Sequence, residues 1–226
     1  MLQSNKCNSQ FVIEPDAIQY LKAYGINYEK NWFIKEKGDL EKLKTQFEFP
    51  IVMKIVSPDI VHKSDVGGVI VNINNINEAN KAYDKIMNNV SQNKSSVIIC
   101  GVLVCKQADP GIEVIVGCTK DDVFGKVIMF GFGGLYVEIL KDVVYHTCPL
   151  SEEEAFSMLK HTNTYNILSG ARGQAIYDLR SLVRLISKIS ELYFSNDDIS
   201  EIELNPIRIY EDKIVVLDVR IIKEVR

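Results

Sequence analysis

The chain has 226 residues, 46% of them hydrophobic and 25% charged, with a formal net charge of −4. That balance suits one large folded domain or two small lobes with a sizeable core, and it argues against a general nucleic-acid binder, which carries a basic surplus. No apolar run approaches the roughly 18 residues of a membrane helix, the polar start MLQSNKCNSQ lacks a signal peptide's apolar segment, and five scattered cysteines without a CxxC pair read as reduced thiols of a cytoplasmic protein, not as a zinc site.

In chain order, EPDAIQYLKAYG places Ala17, Ile18, Leu21 and Tyr24 at helical spacing, with Gly25 as the stop. NWFIKEK reads as a short strand and DLEKLKTQF as a helix opened by an acidic residue. PIVMKIVS and GGVIVNI are strands. NEANKAYDKIMNNV is a helix with Ala79, Ala82, Ile86 and Val90 on one side, and SVIICGVLVCKQ is a β-branched strand kinked at Gly101. This first half alternates strands and helices as a small α/β lobe. Beyond VCKQADPG (104–111) the reading changes to strands at GIEVIVGCTKD, KVIMFGFGG, LYVEILKDVVYHTCPL, ISEIELNPIRIY and KIVVLDVRII. Most of their connections are too short for a helix, so an antiparallel sheet is expected. Two helices interrupt it: SEEEAFSMLKHT, with Ser151 and Glu154 at capping-box spacing, and AIYDLRSLVRLISKISELYF. The expected division is a small lobe, 27–104, and a large lobe, 1–26 plus 105–226, with a ligand cleft between them.

Polar residues gather in a few places. Lys54 sits on a strand among Val52, Met53, Ile55 and Val56; it either snorkels to water or aims a point charge at a phosphate. The turn SPDIVHKSDVGG (57–68) holds His62 beside Lys63, ahead of Gly67 and Gly68. An imidazole there can be a satisfied surface residue or a nucleophile toward phosphorus, with cationic neighbours to neutralise the transferred group. MFGFGG, with Gly133 and Gly134, is either a tight hairpin or a loop whose amides lie over phosphates. Glu113 either accepts hydrogen bonds from a ribose or faces water. Glu203 and Asn205 are two apart and share a strand face, and a hairpin returns Asp218 alongside them. Three oxygen-bearing side chains of this kind suit a hard cation such as Mg²⁺.

FPIVMKIVSPDIVHKSDVGGV resembles the opening signature of the ATP-grasp beta subunit of ADP-forming acetyl-CoA synthetases. The resemblance runs on through GIEVIVGCTKDDVFGKVIMFGFGGLYVEILKDV and LSGARG to EIELNPIRIY and LDVRI, nearly the whole chain in order. It implies an ATP-grasp fold, α+β in class, with two lobes gripping ATP or ADP and Mg²⁺ in a nucleotide cleft. The implied reaction is acyl-CoA + ADP + phosphate ⇌ acid + CoA + ATP. A separate CoA-binding alpha subunit makes the acyl phosphate and holds phosphate on its own histidine, and the two subunits form a heterotetramer. By the same matching His62 is the phosphohistidine and Lys54 contacts nucleotide phosphates; Lys63, beside the histidine, and the Gly133–Gly134 loop are read from the residues themselves as further phosphate contacts. Glu113 sits in the nucleotide cleft, and Asn205 and Asp218 are Mg²⁺ ligands. Glu203 orients the histidine or helps to hold the metal. Cys105, Lys106 and Gln107 stand where relatives place a Gln-(Glu/Pro)-Met hinge against adenine, which leaves ATP and GTP both open. Arg172 and Gly173 keep the family's Gly-x-Arg-Gly, without the prolines usual after it. Two other functions fit the same residues: a stand-alone ATP-grasp carboxylate ligase, which would not need His62, and a non-catalytic nucleotide-sensing subunit, which would bind without transferring phosphate. No membrane or nucleic-acid partner is expected.

Overall fold

The computed structural model describes residues 9–93, 97–133, 142–173 and 175–224. They fall into two compact units, Met1–Tyr28 with Pro110–Arg226, and Glu29–Asp109. None of the described helices is long and apolar enough to cross a membrane.

The unit 29–109 contains β2 (Asn31–Ile34), α2 (Gly38–Leu43), β3 (Ile51–Val56), β4 (Val69–Ile73), α3 (Ile76–Asn93) and β5 (Gly101–Lys106). The sheet order is β2-β5-β3-β4 and every neighbouring pair is antiparallel. The alternation of strands and helices therefore does not make a parallel sheet here. β3 and β4, joined by the loop 57–68, form an antiparallel pair. β4 and β5, linked through α3, run parallel to one another with β3 between them. One face is apolar: Ile34, Ile51, Met53, Ile55, Val102 and Val104 pack with Leu40 of α2 and Ala79, Ala82, Ile86 and Val90 of α3. Side chains alternate along a strand, so Lys54, Val56, Leu103 and Cys105 belong to the opposite face. β5 starts at Gly101, so the apolar residues 97–100 are not part of the strand. Between Ile51 and Met53 the β3–β4 register slips, leaving Val71 and Asn72 as a bulge with Asn72 at φ 59°.

The other unit contains β1 (Ser9–Val12), α1 (Glu14–Ala23), β6 (Ile112–Asp121), β7 (Gly125–Phe132), β8 (Val143–Thr147), α4 (Glu152–Leu159), α5 (Asn163–Leu168), α6 (Leu179–Ser195), β9 (Ile199–Ile209), β10 (Ile214–Val216) and β11 (Val219–Glu224). Its antiparallel sheet has the order β1-β11-β9-β6-β7-β8, with β10 also on β9. Helix α6 buries Leu182, Leu185, Ile186, Ile189 and Leu192, an apolar stripe at helical spacing. Asp178 caps it, so it opens later than the apolar pattern from Ala175 suggests. The Ser151–Glu154 capping box is present on α4. At the end of α1, Gly25 N–H and Ile26 N–H bond back to the Lys22 and Leu21 carbonyls, 2.9 Å each, which closes the helix at the predicted glycine. Of the strand expected at 135–150, residues 135–141 lie outside the described residues and the remainder contains β8. The expected single return strand 213–222 is two strands, β10 and β11, interrupted at Leu217 and Asp218.

Candidate active site

The histidine turn is tied at both ends. Ser57 Oγ accepts the Asp59 N–H (3.1 Å), and the Asp59 carboxylate accepts the Ile98 N–H (2.7 Å). Ile60 is buried in the core. The chain then turns outward, so Val61 is 45% exposed and His62 is exposed. It closes again where Gly67 N–H reaches the Ser64 carbonyl (3.0 Å) and Gly68 N–H the Lys63 carbonyl (2.8 Å). Ile55 N–H donates to the Gly68 carbonyl (2.7 Å), and the Asn89 amide donates to the Gly67 carbonyl (3.0 Å). Gly67 lies at φ 65°, and a Cβ on Gly68 would stand 2.5 Å from Ile55 Cγ2 and 2.8 Å from the Lys63 carbonyl oxygen. The glycines therefore let the loop base pack against β3 and α3. The exposed part is the short stretch around His62.

Lys54 precedes this turn on β3. It is 8% exposed and pairs in register with Val69 and Leu103. A buried ammonium is costly unless a partner or ligand answers it, which separates Lys54 from an ordinary snorkelling lysine. Cys105 is 4% exposed on the same face. The two residues after it point elsewhere. Lys106 pairs in register with Ile51, a residue of the helix-covered face, and meets Glu48 at 3.0 Å. Hydrogen bonds from Lys30 and Lys106 lower the Glu48 carboxyl to about 2, and the hydrogen bond to Glu48 and its charge raise Lys106 in return. Gln107 spends its side chain on the β4 bulge: Asn72 N–H donates to Gln107 Oε1 and Gln107 Nε2 donates to Asn72 Oδ1, both 2.6 Å. These bonds occupy the side chains of Lys106 and Gln107 with partners in their own unit.

In the other unit a charged surface forms on one face of the sheet. Glu113 on β6 faces Arg208 on β9 and is ion-paired with it, so its expected role toward a ribose competes with this bond. Gly133 comes up against the Glu113 backbone. Its N–H bonds to the Glu113 carbonyl at 2.7 Å, and a Cβ there would lie 2.8 Å from the Glu113 carbonyl carbon. Gly134 lies outside the described residues. Farther along, Glu203 faces Arg220 on β11 at 2.8 Å, and Arg220 also pairs with Glu201. Burial lowers the Arg220 pKa. Asn205 Nδ2 donates to Glu203 Oε1 at 3.0 Å.

Asn205 sits in a bulge. The β6–β9 register passes from Val114↔Ile207 to Val116↔Leu204, so Asn205 and Pro206 are opposed by Ile115 alone. Opposite them lies the break between β10 and β11: Asn205 N–H reaches the Asp218 carbonyl (3.2 Å) and Leu217 N–H the Pro206 carbonyl (3.0 Å). The donor chemistry fits a hard cation. An amide whose N–H is given to Glu203 presents its oxygen on the other side, beside a carboxylate residue. Among the described residues no group of three or more His, Cys, Asp or Glu is arranged around a metal, so a cation here would need further oxygens from a ligand.

A family profile described as an ATP-grasp domain matches residues 4–222. The beta subunit of acetate–CoA ligase (ADP-forming) I from Pyrococcus furiosus is 39% identical over 98% of this chain and 96% of its own. The chain belongs to the ATP-grasp family, with the ADP-forming acetate–CoA ligase beta subunits. It also aligns, at 37% identity, with 31% of the longer acetate–CoA ligase (ADP-forming) I of Archaeoglobus fulgidus. Among solved structures, Ca. Korarchaeum cryptofilum acetyl-coenzyme A synthetase 1 with coenzyme A and Ca-AMPCP superposes with a TM-score of 0.90 at 38% identity, covering 95% of this chain and 94% of that one. The same enzyme with coenzyme A and Mg-AMPPCP, its phosphohistidine segment pointing towards the nucleotide binding site, gives a TM-score of 0.80 at 36% identity, covering 95% and 93%.

The ATP-grasp reading from sequence missed the arginines of the site. Arg208 and Arg220 each follow a motif already singled out, by three residues after Asn205 and two after Asp218. Each pairs in register with a carboxylate of that motif set, Glu113 or Glu203. A charge count along β9 and β11, alternating acid with base across the two strands, was the signal available.

Proposed function

We propose that this chain is the nucleotide-binding beta subunit of an ADP-forming acyl-CoA ligase, acetate–CoA ligase in type, and that His62 carries phosphate between a CoA-binding alpha subunit and ADP. The observation that carries the reading is the exposed His62 on a turn clamped at both ends, next to the strand that holds the buried Lys54. The neutral imidazole uses its lone pair to attack phosphorus delivered by the alpha subunit, forming a P–N bond as the donor's bond to phosphorus breaks. A terminal phosphate oxygen of ADP then attacks the same phosphorus, and the P–N pair returns to the ring. Lys54 and Lys63 neutralise charge on the phosphoryl and nucleotide phosphates. Asn205 and Asp218 would hold Mg²⁺, which when bound screens the nucleotide phosphates. Glu203, tied to Arg220, orients the Asn205 amide. In this reading Glu113 and Cys105 contribute to nucleotide binding, and the small and large lobes are 27–104 and the remainder. The assembly is a heterotetramer with the alpha subunit, in the cytoplasm.

The test incubates the chain and its alpha subunit with γ-labelled ATP and Mg²⁺, followed by an alkaline quench. Acid-labile label is expected on this chain, lost on adding ADP and absent in H62A, which still binds nucleotide. Label persisting on H62A moves the relay to His146 or His161 and refutes the assignment.

A further inference from the structure

Glu14 and Tyr28 are not part of the proposed transfer chemistry, yet they meet next to it. Glu14 opens α1 and is 4% exposed, an unusual position for a carboxyl. The Tyr28 hydroxyl is hydrogen-bonded to the Glu14 carboxyl and donates to the Leu217 carbonyl at 2.6 Å. Tyr28 also forms an isolated parallel bridge with Val216.

Asp218 lies where β10 has ended and β11 has not begun, so no regular ladder fixes its backbone. Its φ follows the plane of the Leu217–Asp218 peptide and its ψ the plane of the Asp218–Val219 peptide. The carbonyl of the first plane is held by Tyr28. The carbonyl of the second accepts the Asn205 N–H at 3.2 Å. One of these pins is the backbone of the other proposed metal ligand. The other comes from a distant part of the chain, 189 residues away in sequence, and is itself braced by a buried acid.

We infer that Glu14 and Tyr28 are positioning residues that aim the Asp218 carboxylate at the Mg²⁺–nucleotide complex. This rests on the reading of Asn205 and Asp218 as the metal end of the site. Partners behind a metal ligand tune affinity about 10–100-fold, and a hydroxyl clamped on the peptide next to the ligand acts in the same way.

Calorimetry of ADP binding to the full chain, with and without Mg²⁺, tests it. Y28F is expected to lose about tenfold or more of the Mg²⁺-dependent affinity, with metal-free ADP affinity unchanged. E14A is expected to follow Y28F, while E14Q, which keeps a hydrogen-bonding group toward the phenol, stays within about twofold of the unsubstituted chain. A structural role alone would lower Tm without separating metal-dependent from metal-free binding. A folded Y28F with unaltered Mg²⁺ dependence overturns the inference. Equal losses in E14Q and E14A overturn it too, even if Y28F does not fold. D218N separates the two levels: if D218N leaves the Mg²⁺ dependence intact, the metal assignment itself fails, whereas a loss in D218N with none in Y28F overturns only the positioning role.

Discussion

Adding one methyl group at Gly68 tests how rigidly the histidine turn is held. In G68A the new Cβ would stand 2.5 Å from Ile55 Cγ2 and 2.8 Å from the Lys63 carbonyl oxygen. Carbon atoms in contact prefer about 3.5–4.0 Å, so Ile55 or the turn must move by about 1 Å. Ile55 has no exposed surface and lies in the core cluster under α3, so the backbone of the turn is the part that moves. Overpacking costs about 1–3 kcal/mol. Loss of the Gly68 N–H bond to Lys63 adds about 0.5–1.5 kcal/mol. The expected destabilisation is about 1.5–4.5 kcal/mol, which at about 2–4 °C per kcal/mol for a chain of this size lowers Tm by about 3–18 °C. Denaturant unfolding gives the stability change, and acid-labile labelling of His62 gives the functional one. Labelling should slow, because the clamp that presents the imidazole is displaced, while nucleotide binding is retained. A G68A chain within about 0.5 kcal/mol of the original, the ordinary range for surface substitutions, with unchanged labelling, would refute the packing argument.

The Asp142 carboxylate takes the Asn163 N–H (2.8 Å), the Thr164 N–H (2.7 Å) and the Thr164 hydroxyl at the start of α5. Burial opposes its charge, but the bonds from Thr164 and Asn163 prevail and lower its pKa below the usual 3.8. Its stabilisation is present above the unfolded value and is lost as pH falls through the lower folded one. D142N should therefore cost about 1–2 kcal/mol near pH 7 and flatten the decline of Tm below pH 4; an undiminished decline counts against it. Thiol labelling at pH 8 should modify Cys148 before Cys118. The hydrogen bond from Cys118 and the charge of Lys126 lower the Cys148 thiol, whereas burial, with the bond to Cys148, raises that of Cys118. Peptide mapping with the reverse order would contradict this.

Local pattern revealed most of the elements, because α3, α6 and the central strands bury regular stripes at their own periods. Strand β1 was not legible: four residues, two of them polar, are too short to show a strand period by themselves, and they pair with the edge of β11. Helix α5 was missed because it is only six residues long; its start is capped locally by Thr162 and also bonded to Asp142, which lies 21 residues upstream of Asn163. In the candidate site, His62, Lys54 and the Glu203–Asn205–Asp218 set were visible as polar residues inside apolar or tightly turned segments. The directions of Lys106 and Gln107 were not, because they depend on Glu48 and on a bulge at Asn72, both set by strand register. Spacing also suggested one continuous strand through Asp218; the break there depends on a matching bulge on β9, which no window of a single strand contains.

The Asn72 bulge has a consequence for how the molecule behaves in a crowd. β4 is an outer strand of its sheet and carries an exposed valine, Val71, so a straight run of its N–H and C=O groups would invite a strand from another copy. With Asn72 held in a left-handed conformation by Gln107, that edge is kinked, and a second chain cannot zip along it without first undoing the amide pair. Gln107, read from sequence as a hinge for a base, thus guards a sheet edge against self-association.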